Sequence, residues 1–177
     1  MKICVFCSAN NNLATEYSAA AQALGKWIGN AGHTLVFGGT DLGLMETVAR
    51  ATHDAGGMVV GVVPSIVEKG GHASDAIDVK MHCDNLADRK QLMIDQSDIL
   101  LALPGGVGTL DEIFTVAASA NIGYHHKRVV LLNVGGFWNS LIAMLDDLKT
   151  KGVLRAGIDQ TIVAVNTVDE AIALMEQ

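Results

Sequence analysis

The strongest constraint on this chain is an alternation. Short, almost wholly apolar runs rich in β-branched residues are separated by longer stretches with helical period. KICVFC (2–7), TLVF (34–37), MVVGVV (58–63), DILLAL (98–103), RVVLLNV (128–134) and TIVAV (161–165) read as strands. A strand with no polar face is covered on both sides, as in a parallel sheet flanked by helices. IDVK (77–80) is a weaker candidate for an edge strand. Helical stretches lie at 15–31, 42–55, 86–97, 109–122, 137–150 and 167–176. Gly32 and the Gly56-Gly57 pair stand where the first two should stop, since glycine supplies the left-handed residue that ends a helix. Strand–helix alternation of this kind builds right-handed βαβ units. The expectation is a single α/β domain over 1–177: a Rossmann-like, doubly wound, mostly parallel sheet of six to seven strands with helices on both faces. Residues 65–85 are the least regular and suggest a mobile loop over a site.

The length of 177 residues suits one sizeable core, and nineteen glycines against two prolines suit tight turns. A net charge of −7 argues against nonspecific nucleic-acid binding and against docking on anionic membrane. No apolar run reaches the length of a membrane span. Met1-Lys2 leads directly into ICVFC, which reads as a strand and not as a secretory leader. Three cysteines are a sparse, odd set that fits a reducing cytoplasm. Cys4-x-x-Cys7 has redox-motif spacing. Positions three apart on a strand point to opposite faces, however, so both read as buried apolar residues. Zinc-ligand spacing and H-E-x-x-H are absent, and no metal or cofactor is expected. His125-His126 reads as the end of a helix. Trp27 and Trp138 read as core or subunit interface.

Sites on doubly wound sheets lie in the loops beyond the carboxyl ends of the strands. That singles out SANNN after the first strand, GGTDLG (38–43) after the second, and PGGVGT (104–109) after the strand at 98–103. In the last, Gly105, Gly106 and Gly108 flank Val107 and open a helix at Thr109. Glycines allow close backbone approach, and a helix start offers unpaired N–H groups at its positive end, so the loop suits a phosphate. GGTDLG is a weaker version: Gly38 and Gly39 could approach an anion, but Asp41 opposes one, and a packing loop with a helix cap reads equally well. The first strand–helix turn lacks G-x-G-x-x-G, and no G-K-[ST] marks a P-loop.

Thr109-x-x-Glu112 has the form of a capping box, with Thr109 as N-cap and Glu112 reaching back. A carboxylate at the mouth of a phosphate site would instead serve chemistry in which positive charge develops on the ligand. Asp111 adds a second acid beside it. Arg89 and Lys90, upstream, could face the same anion or form a solvated pair.

Taken together, NLADRK, LPGGVGTLDE and VFGGTDLGLMETVARA resemble the LOG ("Lonely guy") family of cytokinin riboside 5′-monophosphate phosphoribohydrolases, formerly labelled lysine decarboxylase-like. The signature P-G-G-x-G-T-x-x-E stands at Pro104 to Glu112, with Arg89-Lys90 at the family's distance upstream. GYHHKRVVLLNVGGFWNSL extends the similarity, which covers essentially the whole chain. The resemblance implies hydrolysis of the N-glycosidic bond of a nucleoside 5′-monophosphate, such as AMP or an N6-modified AMP. Free base and ribose 5-phosphate are the products. It implies catalysis by Arg89 and Glu112, phosphate or ribose held by Gly105 to Thr109, and a homodimer with its sites near the subunit boundary. Molybdenum-cofactor carriers share the glycine signature, so a non-catalytic carrier is the alternative. No motif for a pyridoxal Schiff-base lysine is present. The chain departs from the family at Ser8, Ala9 and Asn10 in the first loop, and at Thr40, Glu46, Leu86 and Ala87. It departs again near Ala118, Ser119 and Asn121.

Overall fold

The computed structural model describes residues 1–155 and 157–177. The strands are β1 (Lys2–Phe6), β2 (Thr34–Phe37), β3 (Met58–Pro64), β4 (Val79–Cys83), β5 (Ile99–Ala102), β6 (Val129–Leu132) and β7 (Ile162–Val165). The helices are α1 (Thr15–Asn30), α2 (Gly43–Asp54), α3 (Ser65–Lys69), α4 (Leu86–Asp95), α5 (Val107–Asn121), α6 (Asn139–Thr150), α7 (Ile158–Thr161) and α8 (Val168–Met175). The seven strands form one sheet in the order β4-β3-β2-β1-β5-β6-β7, and every pair is parallel. The α/β reading therefore holds, and the sheet is more uniform than the mostly parallel one expected.

Alternation along each strand divides the core in two. Ile3 and Val5 face one side with Leu35 and Phe37, against Leu24 and Ile28 of α1, Val48 of α2 and Ala171 of α8. Cys4, Phe6 and Val36 face the other, against Met93 and Ile94 of α4, Ile113 and Val116 of α5, and Leu141 of α6. Cys4 and Cys7 thus belong to opposite layers, as their spacing requires. Both are buried free thiols, and burial pushes both well above the usual thiol range. Trp138 is buried, while Trp27 is half-buried and packs against the first layer.

The segment 65–85 is more ordered than its sequence suggests. It contains α3 and the edge strand β4, which runs Val79–Cys83 rather than 77–80. The stretch between them is tied to the β2 loop: Ser74 N–H donates to the Gly39 carbonyl and Asp41 N–H to that of His72. Alternation is hard to see here because an edge strand is half exposed and short. His125 and His126 lie beyond α5, which stops at Asn121, so they do not finish that helix; Gly123 at φ +88° turns the chain away first. Among the described residues, no helix is long and apolar enough to cross a membrane.

Candidate active site

The sheet reverses its winding at its centre. The chain moves outward from β1 through β2 and β3 to β4, then crosses back on α4 to place β5 on the other side of β1. The loops after β1 and β5 therefore diverge and leave a crevice, the usual position for a ligand in such folds. Backbone bonds fix its floor: Leu103 N–H donates to Phe6 O, and Ser8 N–H to Pro104 O. The cavity there is about 310 Å³, lined by Cys7, Ser8 and Ala9 after β1, Met45 of α2 and Leu86 of α4. Arg89, Lys90, Gly106, Gly108, Thr109, Asp111 and Glu112 complete it.

The glycine loop starts its helix earlier than the capping-box reading requires. α5 begins at Val107 with Gly106 in the N-cap position, and no side chain caps it. Leu110 N–H makes the first backbone bond of the helix, to Gly106 O. The N–H groups of Val107, Gly108 and Thr109 are thus left for a ligand or water. By contrast, the Asn85 side chain caps α4 by accepting from Ala87 and Asp88, and Thr167 caps α8. Thr109 is not an N-cap: it is buried in the first turn, packed against Gly105. A β-carbon built on Gly105 would stand 2.0 Å from the Thr109 Oγ1, so the loop tolerates no side chain there.

Glu112 does not reach back to the helix start either. Its carboxylate accepts a hydrogen bond from Arg89 Nη2 at 3.0 Å. Both side chains are largely buried, 7% and 13% exposed, which separates this pair from a surface ion pair. Burial pushes the Glu112 carboxyl up to about 7, against the lowering influence of Arg89. Arg89 Nε is buried and unpartnered, a donor held ready inside the site. Beside this pair, Lys90 Nζ donates to both carboxylate oxygens of Asp111 at 2.8 Å. Arg89 and Lys90 are therefore not a solvated pair: each is matched to an acid of α5.

The loop after β2 sits behind the pair. Gly38 lies against the Arg89 guanidinium, and Gly39, at φ +83°, packs on Val63. Asp41 lies 3.4 Å from His72 Nδ1. Gly43 is pressed against the backbone of Ala9 and Asn10, and Leu44 N–H donates to Ser8 O. These contacts deliver Met45 to the cavity. Sequence reading passed over Met45, which carries no chemical signature. Of the altered family positions, Ser8, Ala9 and Leu86 line the cavity, whereas Thr40, Glu46, Ala87 and Ala118 do not. Glu46 instead pairs with Arg50 one turn on.

A family model described as "Possible lysine decarboxylase" matches residues 45–175. The cytokinin riboside 5′-monophosphate phosphoribohydrolase LOG4 of Arabidopsis thaliana is 35% identical over 176 residues, covering 99% of this chain and 82% of that protein. The phosphoribohydrolase LOG of Oryza sativa subsp. japonica is 33% identical, over 99% and 73%. The chain belongs to the LOG family. The molybdenum cofactor carrier protein of Chlamydomonas reinhardtii has the same fold, with a TM-score of 0.77 at 26% identity over 99% of this chain and 96% of that one.

Proposed function

We propose that the protein hydrolyses the N-glycosidic bond of a nucleoside 5′-monophosphate, AMP or an N6-modified AMP, to free base and ribose 5-phosphate. The observation that carries this reading is a buried acid, Glu112, held by a buried arginine beside an uncapped helix start. The N–H groups of Val107, Gly108 and Thr109 receive the 5′-phosphate, and the helix dipole favours its charge. Arg89 offers its unpartnered Nε to phosphate or ribose oxygen. Cleavage passes through an oxocarbenium-like state with positive charge at C1′ and the ring oxygen. Glu112 as carboxylate stabilises that charge and takes a proton from water as the water oxygen bonds to C1′. The C1′–N electron pair leaves with the base, which takes up one proton from solvent, while Glu112 returns to solvent the proton it took from water, so the net reaction consumes one water. The base lies against the apolar wall of Ala9, Met45 and Leu86.

The family description names a decarboxylation, but the two LOG relatives carry the name of the hydrolysis, and the geometry suits the hydrolysis. A carrier of the molybdenum-cofactor type would bind without turnover. A carboxylate buried beside a phosphate cradle weakens binding and aids only chemistry, which favours the enzyme. The homodimer implied by the family would use the exposed apolar residues Leu86 of α4 and Val107 and Phe114 of α5. Three free cysteines fit a reducing cytoplasm. The test is a panel of 5′-monophosphates, including N6-isopentenyl-AMP, assayed for free base and reducing sugar. Turnover of at least one is expected; turnover of none overturns the reading.

A further inference from the structure

Gly38 follows β2 and is buried. A β-carbon built on it would stand 2.3 Å from Arg89 Nη2, 2.8 Å from Cζ and 3.3 Å from Nε. The guanidinium therefore packs flat against this glycine, with its Nη2 nearest. The same group carries the Nη2 that donates to Glu112 and the Nε that has no partner among the described residues.

The neighbouring glycines need no side chain for other reasons. Gly39 and Gly43 have φ of +83° and +59°, which L side chains resist. A β-carbon on Gly43 would also come within 2.6 Å of the backbone of Ala9 and Asn10. Gly38 lies outside the left-handed region, and the three nearest atoms its β-carbon would meet all belong to Arg89. Backbone geometry does not demand glycine at 38; the arginine does.

We propose that Gly38 is a positioning residue: its missing side chain makes the slot in which the Arg89 guanidinium lies flat and meets Glu112. A methyl group at 38 has to displace something. The backbone has little room to give, because Gly38 directly follows Phe37, the last residue of a strand paired to both β1 and β3. The guanidinium can, at the end of a flexible stem. Gly38→Ala should therefore spare the fold and move Arg89 off Glu112. This role rests on the reading of Arg89 and Glu112 as the reacting pair. The slot itself can be tested without a nucleotide.

The experiment follows the Glu112 carboxyl by 13C NMR in the full-length protein with labelled glutamate, assigned by its loss in Glu112→Gln. Wild type, Gly38→Ala, Arg89→Ala and the double variant are titrated, with thermal unfolding run alongside. The groups that bear on Glu112 are Arg89 and Lys90 from α4, Asp111 on its own helix, and Cys4 and Cys7 from β1 and its end. Gly38→Ala changes none of these in identity. Burial persists while the guanidinium's lowering influence weakens, so Glu112 should titrate above its wild-type midpoint of about 7 in Gly38→Ala. Arg89→Ala should shift it in the same direction, and the double variant should match Arg89→Ala. A wild-type titration in Gly38→Ala overturns the proposal, whether or not the protein turns over a nucleotide. If Gly38→Ala does not fold, the double variant decides. Folding of the double shows that the arginine fills the slot, and failure of both shows that the backbone itself requires glycine. On a nucleotide that wild type hydrolyses, Gly38→Ala should lose about 100-fold in kcat/KM, the scale of a misplaced catalytic group. It should cost nothing further in an Arg89→Ala background.

Discussion

Glu112 is where stability and chemistry oppose each other. A carboxyl raised to about 7 from an ordinary 4.5 binds its proton more readily folded than unfolded. Between those pH values the native state holds more protons, so this residue lowers stability as pH rises from about 4.5 to about 7. Glu112→Gln removes that slope while keeping an oxygen for Arg89 to donate to. Urea unfolding at pH 5 and pH 8 should show the variant gaining on wild type at the higher pH. Catalysis runs the other way, because the carboxylate is the working form: kcat/KM should rise with pH through about 7. Glu112→Gln should lose roughly 100- to 10,000-fold, the range for a general base. A pH–rate profile and single-variant kinetics check both. This acid was conspicuous in the sequence, and the spacing to Thr109 suggested a cap. Three glycines let the N-cap fall at Gly106, three residues before Thr109, which puts Thr109 inside the first turn and leaves Glu112 free for Arg89. Spacing alone shows neither where a glycine loop hands over to a helix nor which cation waits across the crevice.

Each helix at the site has its own device for placing a side chain. Asn85 caps α4 and sets the first turn on which Arg89 and Lys90 stand. Asn85→Ala should cost about 1 kcal/mol of unfolding free energy, measured by denaturant titration, the usual value for a lost N-cap. On the opposite layer, α1 and α2 pack through Gly25 and Gly29. A β-carbon on Gly29 would stand 2.5 Å from the Ala55 β-carbon and 2.6 Å from the Thr52 carbonyl oxygen. Alanine improves helix propensity by about 1 kcal/mol, yet overpacking at such contacts costs about 1–3 kcal/mol and here meets backbone. Gly29→Ala should therefore be net destabilising, with a lower denaturation midpoint. The strands were legible because burial on both faces leaves unbroken apolar runs. Gly32 and Gly56, at φ +67° and +83°, punctuated the helices as read. The region 65–85 was only partly legible: IDVK marked the edge strand that runs Val79–Cys83, but α3 is a single short turn with no buried face. Met45 was invisible as a site element because it contributes only shape and has no chemical signature, and Gly38, read as a glycine that could approach an anion, lies instead against the Arg89 guanidinium.

At the scale of the molecule, α4 and α5 carry exposed apolar side chains: Leu86, which lines the crevice, Val107 at the start of α5 and Phe114 two turns on. If two chains pair there, Phe114→Asp should convert a dimer to a monomer in sedimentation velocity, because a charge at an apolar contact is left desolvated. The cross-chain order of the parts also separates two tasks. Arg89 and Glu112 are 23 positions apart and lie on the consecutive helices flanking β5. Ser8, Ala9 and Met45 come from the first two crossovers of the chain. The reacting pair is thus inherited on one short stretch of polypeptide, and the wall formed by Ser8, Ala9 and Met45 on another. Recombination between relatives at the β4–α4 junction would exchange the wall while passing the acid and its arginine on intact, so selectivity can drift across a lineage without the reaction being reinvented.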